Sequence, residues 1–207
     1  MPKQKELSGL VDRFNQKSAA SGTFFGLTCY EDTEMLWKPH TLPERRSLPQ
    51  HFTASGLVLH QEHVLLVHHK RIGAWLPPGG HIEDRELPHE AAVREIYEET
   101  GVQVEVLSAS LVDTGNADAF LLPSPLCMHA IQAREKGQEL YHLDIAYLCR
   151  PILDVHLQSD KTLPELTIAE EVHDVAWVAL NHLHTLPLAK NVLEVLDLAH
   201  ALETSRA

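Results

Sequence analysis

Cysteine is scarce in this 207-residue sequence, which holds only Cys29, Cys127 and Cys149, an odd number without C-x-x-C spacing. That excludes a disulfide framework and marks the three thiols as reduced, mostly packing residues of a cytosolic protein. Long apolar runs are missing as well. The N-terminal MPKQKELSGL has no apolar signal region, and no stretch approaches the length that spans a bilayer. A cytoplasmic chain with no membrane partner is the expectation. Basic charge is short: 17 Lys and Arg face 29 Asp and Glu, a net charge of −12 with histidine neutral. Affinity for a phosphate backbone depends on Lys and Arg, so general nucleic-acid binding is not expected. A small phosphorylated substrate is compatible with the acidic surface, because a bound divalent ion reverses the local field. Fifteen histidines invite a zinc reading, but no Cys–His spacing supports structural zinc.

No internal repeat or linker divides the sequence, and its length suffices for one well-buried core. Residues 3–18 read as a short amphipathic helix with Leu7, Leu10, Val11 and Phe14 on one stripe. Pro39, Pro43 and Pro49 break any long element in 21–50. We therefore expect an N-terminal helical extension, 1–50, packed on a main domain, 51–207. Within the latter, β-branched and apolar residues predict strands over 52–59 and 63–68, turning through His60, Gln61 and Glu62. Further strands are expected over 102–112, 126–133, 143–149 and 175–178, with a turn at Gly137 and loops over 114–125 and 150–168. A last helix is expected from near Pro187 to about Glu203, with Leu188, Val192, Val195, Leu196 and Leu198 inward. Trp75 and Trp177 read as core residues. Strands interleaved with two main helices make an α/β sandwich.

The most informative stretch is GHIEDRELPHEAAVREIYEETGV, from Gly80 to Val102. Gly79 and Gly80, stiffened on approach by Pro77 and Pro78, form a tight loop. Good helix formers then run from Pro88, a first-turn proline, to Thr100, and Gly101 is the expected stop. At 100° per residue Glu95, Glu98 and Glu99 fall within an arc of roughly 100°, so their carboxylates leave one face. Leu87, Ala91, Ala92, Ile96 and the ring of Tyr97 supply the apolar side, and Arg94 is spaced to pair with Glu90 and Glu98. Neighbouring carboxylates repel unless a cation or a proton intervenes. An all-oxygen set of this kind favours a hard divalent ion such as Mg²⁺. An ion held there would neutralise diphosphate oxygens and acidify a water, which makes water attack on phosphorus the natural reaction class.

Gly80, Glu86, Arg94, Glu95, Ile96, Glu98, Glu99, Gly101 and Val102 fill every fixed position of G-x5-E-x7-R-E-U-x-E-E-x-G-U, where U is apolar. In this the chain resembles the Nudix hydrolases, and the order of elements extends the resemblance over most of 51–180. The resemblance implies an α/β/α sandwich with a mixed β-sheet. It also implies metal-dependent hydrolysis, with Mg²⁺ or Mn²⁺, of a nucleoside diphosphate linked to another group. Carried over by position, Glu95 and Glu99 are metal ligands and Glu98 is a further ligand or the base that orients water. A carbonyl of Gly79 or Gly80 completes the shell, while Glu86 and Arg94 brace the loop against the helix.

Members of the family recruit another carboxylate from outside the motif. Glu171, in EEVHDVAWV, is the first candidate, with Glu170 and Asp144 as alternatives. His68, His69, Lys70 and Arg71 form the compact basic cluster near the motif, which makes Arg71 and His68, with His81, candidates for substrate phosphates; His129 and His142 are polar groups of the same region. Marks of known subgroups are missing: Asn116 and its neighbours stand where the ADP-ribose type has a proline, and the NADH-type array does not follow Val102. Damaged nucleoside triphosphates, dinucleotides and nucleotide sugars stay open as substrates, and so does a homodimer. The competing reading is a catalytically idle nucleotide-sensing or protein-binding module on the same fold.

Overall fold

The computed structural model describes residues 48–108, 120–153, 163–170 and 172–206. The expectations for 3–18 and 21–47, for Cys29, for the strand beyond 108 and for Glu171 lie outside the described residues. Among the described residues eight strands and two α-helices follow in the order β1 (Gln50–His60), β2 (His63–His69), β3 (Ala74–Leu76), β4 (Gly79–His81), α1 (Pro88–Thr100), β5 (Val104–Val106), β6 (Cys127–Glu135), β7 (Gln138–Pro151), β8 (Val172–Ala179) and α2 (Val192–Arg206).

β1 is the hinge of the sheet. It runs parallel to β7 from Gln50 to Val58, antiparallel to β4 at Thr53–Ser55, and antiparallel to β2 at its end. β2 pairs with β3 and β8, and β7 pairs with β5 and β6, all antiparallel, so the sheet is mixed. The β1–β2 connection is a two-residue turn with positive φ at both Gln61 (46°) and Glu62 (60°), the geometry that suits the twist of a hairpin. His60, expected in the turn, instead pairs with His63.

Both faces of the sheet are covered, which explains why β2 reads as a continuous apolar run rather than an alternating one. Ala54, Val58, Leu65 and Val67 join Ala91, Ala92 and Ile96 of α1 in one core cluster. Leu57, Val64, Leu66, Ala146 and Leu148 join Val192, Val195, Leu196 and Ala199 of α2 in the other. Cys149 is fully buried, as a packing thiol should be, and burial pushes it up to about 12. Trp177 packs against the first cluster and Trp75 against the second.

Three expectations are corrected. α2 begins at Val192, after a 3-10 helix over Leu180–Thr185, and not near Pro187. Residues 187–189 instead spend their backbone groups on β3: Trp75 N–H donates to Pro187 O and Ala189 N–H to Trp75 O, both at 2.9 Å. Leu198 is exposed, the inward place being taken by Ala199. Tyr97 faces outward as well, beside the fully buried Ile96.

Candidate active site

α1 starts and stops as its residues dictate. Glu90 Oε2 accepts from Leu87 N–H at 3.0 Å, half of a capping box, so Glu90 turns back to the helix start rather than pairing with Arg94. At the other end Gly101 adopts φ 75° and donates to Tyr97 O at 2.8 Å, a left-handed cap that glycine takes without strain.

Arg94 is the hub of the loop–helix junction. Its Nε and Nη2 donate to Glu86 Oε1 and Oε2 at 2.8 and 2.9 Å. Nη1 donates to Glu95 Oε1 at 2.8 Å and Glu98 Oε2 at 2.9 Å, and Nη2 reaches His81 O at 3.0 Å. These bonds from Arg94 hold the Glu86 carboxyl below the usual range, and the same carboxylates keep the guanidinium charged.

The three glutamates of α1 sit in different environments. Glu99 is 7% exposed and its Oε2 accepts from Gly79 N–H at 3.1 Å. Glu95 is half-buried, and burial raises its carboxyl above the ordinary value against the opposing pull of Arg94. Glu98 is the exposed one, with 57% of its side chain open to solvent. Gly80 lies hard against Glu95: a Cβ there would stand 2.4 Å from Glu95 Oε1. The donors facing the Gly79–Gly80 backbone are therefore carboxylate oxygens with a main-chain cradle that only glycine leaves open. That set fits a hard divalent ion.

The candidates outside the helix separate. Arg71 Nη2 and His81 Nε2 come to the same atom, Glu135 Oε1, at 3.7 and 3.3 Å. His142 Nε2 joins them at 2.9 Å, and His51 Nδ1 lies 3.4 Å from the other oxygen of Glu135. His51 and Glu135 carried no signal in the sequence, because their neighbours come from strand register rather than local spacing. His68 is not at this place; its ring stacks with His173 at 5.6 Å and tilts against Trp75 at 5.3 Å. Glu170 is exposed, and its carbonyl accepts from Lys70 Nζ.

Asp144 is buried on β7, accepting from Thr53 Oγ1 at 2.9 Å and Ser55 Oγ at 2.7 Å. It alternates with Ile145, a member of the cluster beneath α1, and shares its parity with Ala146 and Leu148, which lie under α2. That places it on the sheet face away from the glutamate helix. His129 Nε2 stands 3.3 Å from Asp144 Oδ2, in ion-pair range although not aligned as a hydrogen bond. Asp144, with Cys127 in addition, pushes this imidazole up to about 10.

A model of the NUDIX domain matches residues 49–198. The chain is 34% identical over 104 residues to an RNA pyrophosphohydrolase of Brucella anthropi, covering 48% of this chain and 58% of that one. It is 38% identical over 68 residues to one of Roseobacter denitrificans, covering 33% and 42%. The chain thus spans about half the length of these curated relatives. Its fold is similar to that of a NUDIX-family hydrolase from Clostridium perfringens, with TM-score 0.57 and 27% identity over 76% of this chain and 99% of that one. It also resembles the NUDIX domain of Shewanella oneidensis NrtR, complexed with ADP ribose, with TM-score 0.50 and 20% identity over 76% and 90%. A match over most of the described residues, joined to a signature folded as a glycine cradle against an acidic helix, establishes that the chain belongs to the NUDIX domain family.

Proposed function

We propose that the protein is a metal-dependent pyrophosphohydrolase that cleaves a diphosphate linkage in a nucleoside diphosphate joined to another group. The observation that carries this reading is the placement of Glu99, buried on a well-packed helix with its carboxylate on the Gly79 N–H. The neighbouring Glu95 carboxyl is raised by burial, and a cation held among the three glutamates would favour their charged forms. Glu95 and Glu99, with the Gly79 carbonyl, would hold Mg²⁺ or Mn²⁺, and Glu98 would be a further ligand or the base that orients water. Bound there, the ion supplies neutralisation of phosphate charge and a more acidic water.

The remaining work falls to the chain's own side chains. Glu98 is the glutamate with the solvent exposure to take a proton from water. Arg94 keeps Glu86, Glu95 and Glu98 at fixed spacing, so the loop and helix act as one rigid part. Arg71, with 54% of its side chain exposed, is the basic group we assign to substrate phosphates. His68 and His81 are engaged by rings and by Glu135. Glu171 stays our first choice for a further catalytic carboxylate.

The test is hydrolysis of nucleotide sugars, dinucleotides, ADP-ribose, oxidised nucleoside triphosphates and 5′-triphosphorylated RNA with Mg²⁺ and Mn²⁺ in ¹⁸O-labelled water. One label on a phosphate fragment is expected. Label on a sugar carbon would refute water attack on phosphorus. Tight binding of one compound without turnover would make the protein a nucleotide sensor instead.

A further inference from the structure

His51, His81, Glu135 and His142 come from β1, β4, β6 and β7, yet each offers a ligand atom within 4.8 Å of the others. Strand register explains the meeting. His51 pairs with His142, and His81 pairs with Thr53, two residues along β1 from His51 and on the same face. Ring centroids lie 5.6 Å apart for His51 and His81, and 5.2 Å for His81 and His142. Glu135 stands at the centre with one carboxylate oxygen on His142 and His81 and the other on His51.

We propose that these four side chains form a binding site for a borderline divalent cation of the Zn²⁺ class, separate from the all-oxygen glutamate set of α1. Imidazole nitrogens select such ions, whereas carboxylates and carbonyls suit Mg²⁺ and Mn²⁺. Bonds of about 2.0–2.1 Å in a tetrahedron require donors about 3.4 Å apart. Glu135 Oε1 stands 2.9 Å from His142 Nε2 and 3.3 Å from His81 Nε2, Oε2 stands 3.4 Å from His51 Nδ1, and the four ligand atoms lie within 4.8 Å of one another, so side-chain rotations that draw them together complete the shell. Glu135 and His142 have little of their side chains exposed, while His51 and His81 keep about half open, which leaves a path of entry. The central carboxylate also argues against a phosphate as the occupant of this cluster, since it repels an anion. Arg71, 3.7 Å from Glu135 and more than half exposed, is the cation an incoming ion would displace. His81 also gives its carbonyl to Arg94, so an ion here would pin β4 next to the glycine cradle.

The experiment is titration of the chelator-treated full chain with Zn²⁺ by calorimetry and with Co²⁺ by visible absorption. One equivalent should bind, with the Co²⁺ spectrum of a four-coordinate nitrogen-rich site. His51→Asn/His142→Asn should lose at least about tenfold in affinity together with that spectrum. Glu95→Gln/Glu99→Gln should keep both, and Arg71→Ser should bind at least as tightly as the native chain. Glu135→Gln keeps the shape and hydrogen-bonding capacity of the side chain, so the same loss in this variant, with native circular dichroism, excludes misfolding as the cause. A Co²⁺ spectrum unchanged by the histidine variants, or one abolished by the Glu95/Glu99 variant, would overturn the proposal. So would the absence of Zn²⁺ binding to the native chain.

Discussion

Arg94 grips Glu86 through two parallel hydrogen bonds, Nε to Oε1 at 2.8 Å and Nη2 to Oε2 at 2.9 Å, joining the helix to the loop that precedes it. Lysine carries the same charge but cannot form this planar fork. Arg94→Lys should therefore cost about 1–2 kcal/mol of stability, a half-buried charge-assisted pair being stronger than a surface one. It should also lower activity, because Glu95 and Glu98 lose their shared partner. Urea unfolding beside a steady-state assay measures both; a variant as stable as the native chain would remove Arg94 from its bracing role.

Glu99→Gln should lose at least about 100-fold in activity while unfolding cooperatively. An ion bound only by the folded glutamate set must also raise stability, by about 2.7 kcal/mol at a hundredfold excess over its dissociation constant. Melts with Mg²⁺ and with chelator should separate for the native chain and converge for Glu95→Gln/Glu99→Gln. Equal separation in both proteins would place the ion elsewhere.

Gly80→Ala puts a methyl 2.4 Å from Glu95 Oε1. The atom in the way is the end of a flexible side chain, so the expected loss of stability is small, under about 1 kcal/mol. The carboxylate must move off the cradle, and activity should fall by about tenfold or more, a disproportion that distinguishes this glycine from a packing residue. Full activity in Gly80→Ala would show that Glu95 need not occupy its observed place.

The His129–Asp144 pair sets a pH dependence. The imidazole titrates near 6.5 when unfolded and near 10 when folded. A raised folded value means that the stabilisation is whole below 6.5 and is lost as pH climbs towards 10. Its size is about 1–2 kcal/mol for one half-buried pair. Denaturant unfolding at about pH 6 and about pH 10.5 should show the native chain losing that amount relative to His129→Gln. Parallel pH profiles for the two proteins would dismiss the pair.

How much of this was readable beforehand depended on whether the signal was local. The helix Pro88–Thr100 and its Gly101 cap follow from neighbours a few residues apart, and the sequence predicts them closely; that Glu99 and Glu95 meet Gly79 and Gly80, 20 and 15 residues away, no local spacing announces. Where tertiary pairing decides, it does not. β3 draws residues 187–189 into extended backbone and delays α2 to Val192, a choice that no propensity of those residues announces. The Glu135 cluster is the same case: His51 and His142 are opposite each other only because β1 and β7 run parallel in that register. Tyr97 and Leu198 face outward, against the expectation from helical spacing, because a smaller or better placed neighbour, Ala199 beside Leu198 and Ile96 beside Tyr97, fills the inner position.

Leu65 and Leu66 are adjacent on β2, both fully buried, and belong to different cores. The sheet thus acts as a partition, and one step along the chain changes which side of it a substitution disturbs. Truncating either leucine to alanine removes a similar volume and costs about 2–5 kcal/mol. Only the cavity at Leu65 opens into the cluster that seats the glutamate helix. Two mutants matched in global stability should therefore differ in catalysis, giving an internal control for separating loosened chemistry from loosened fold.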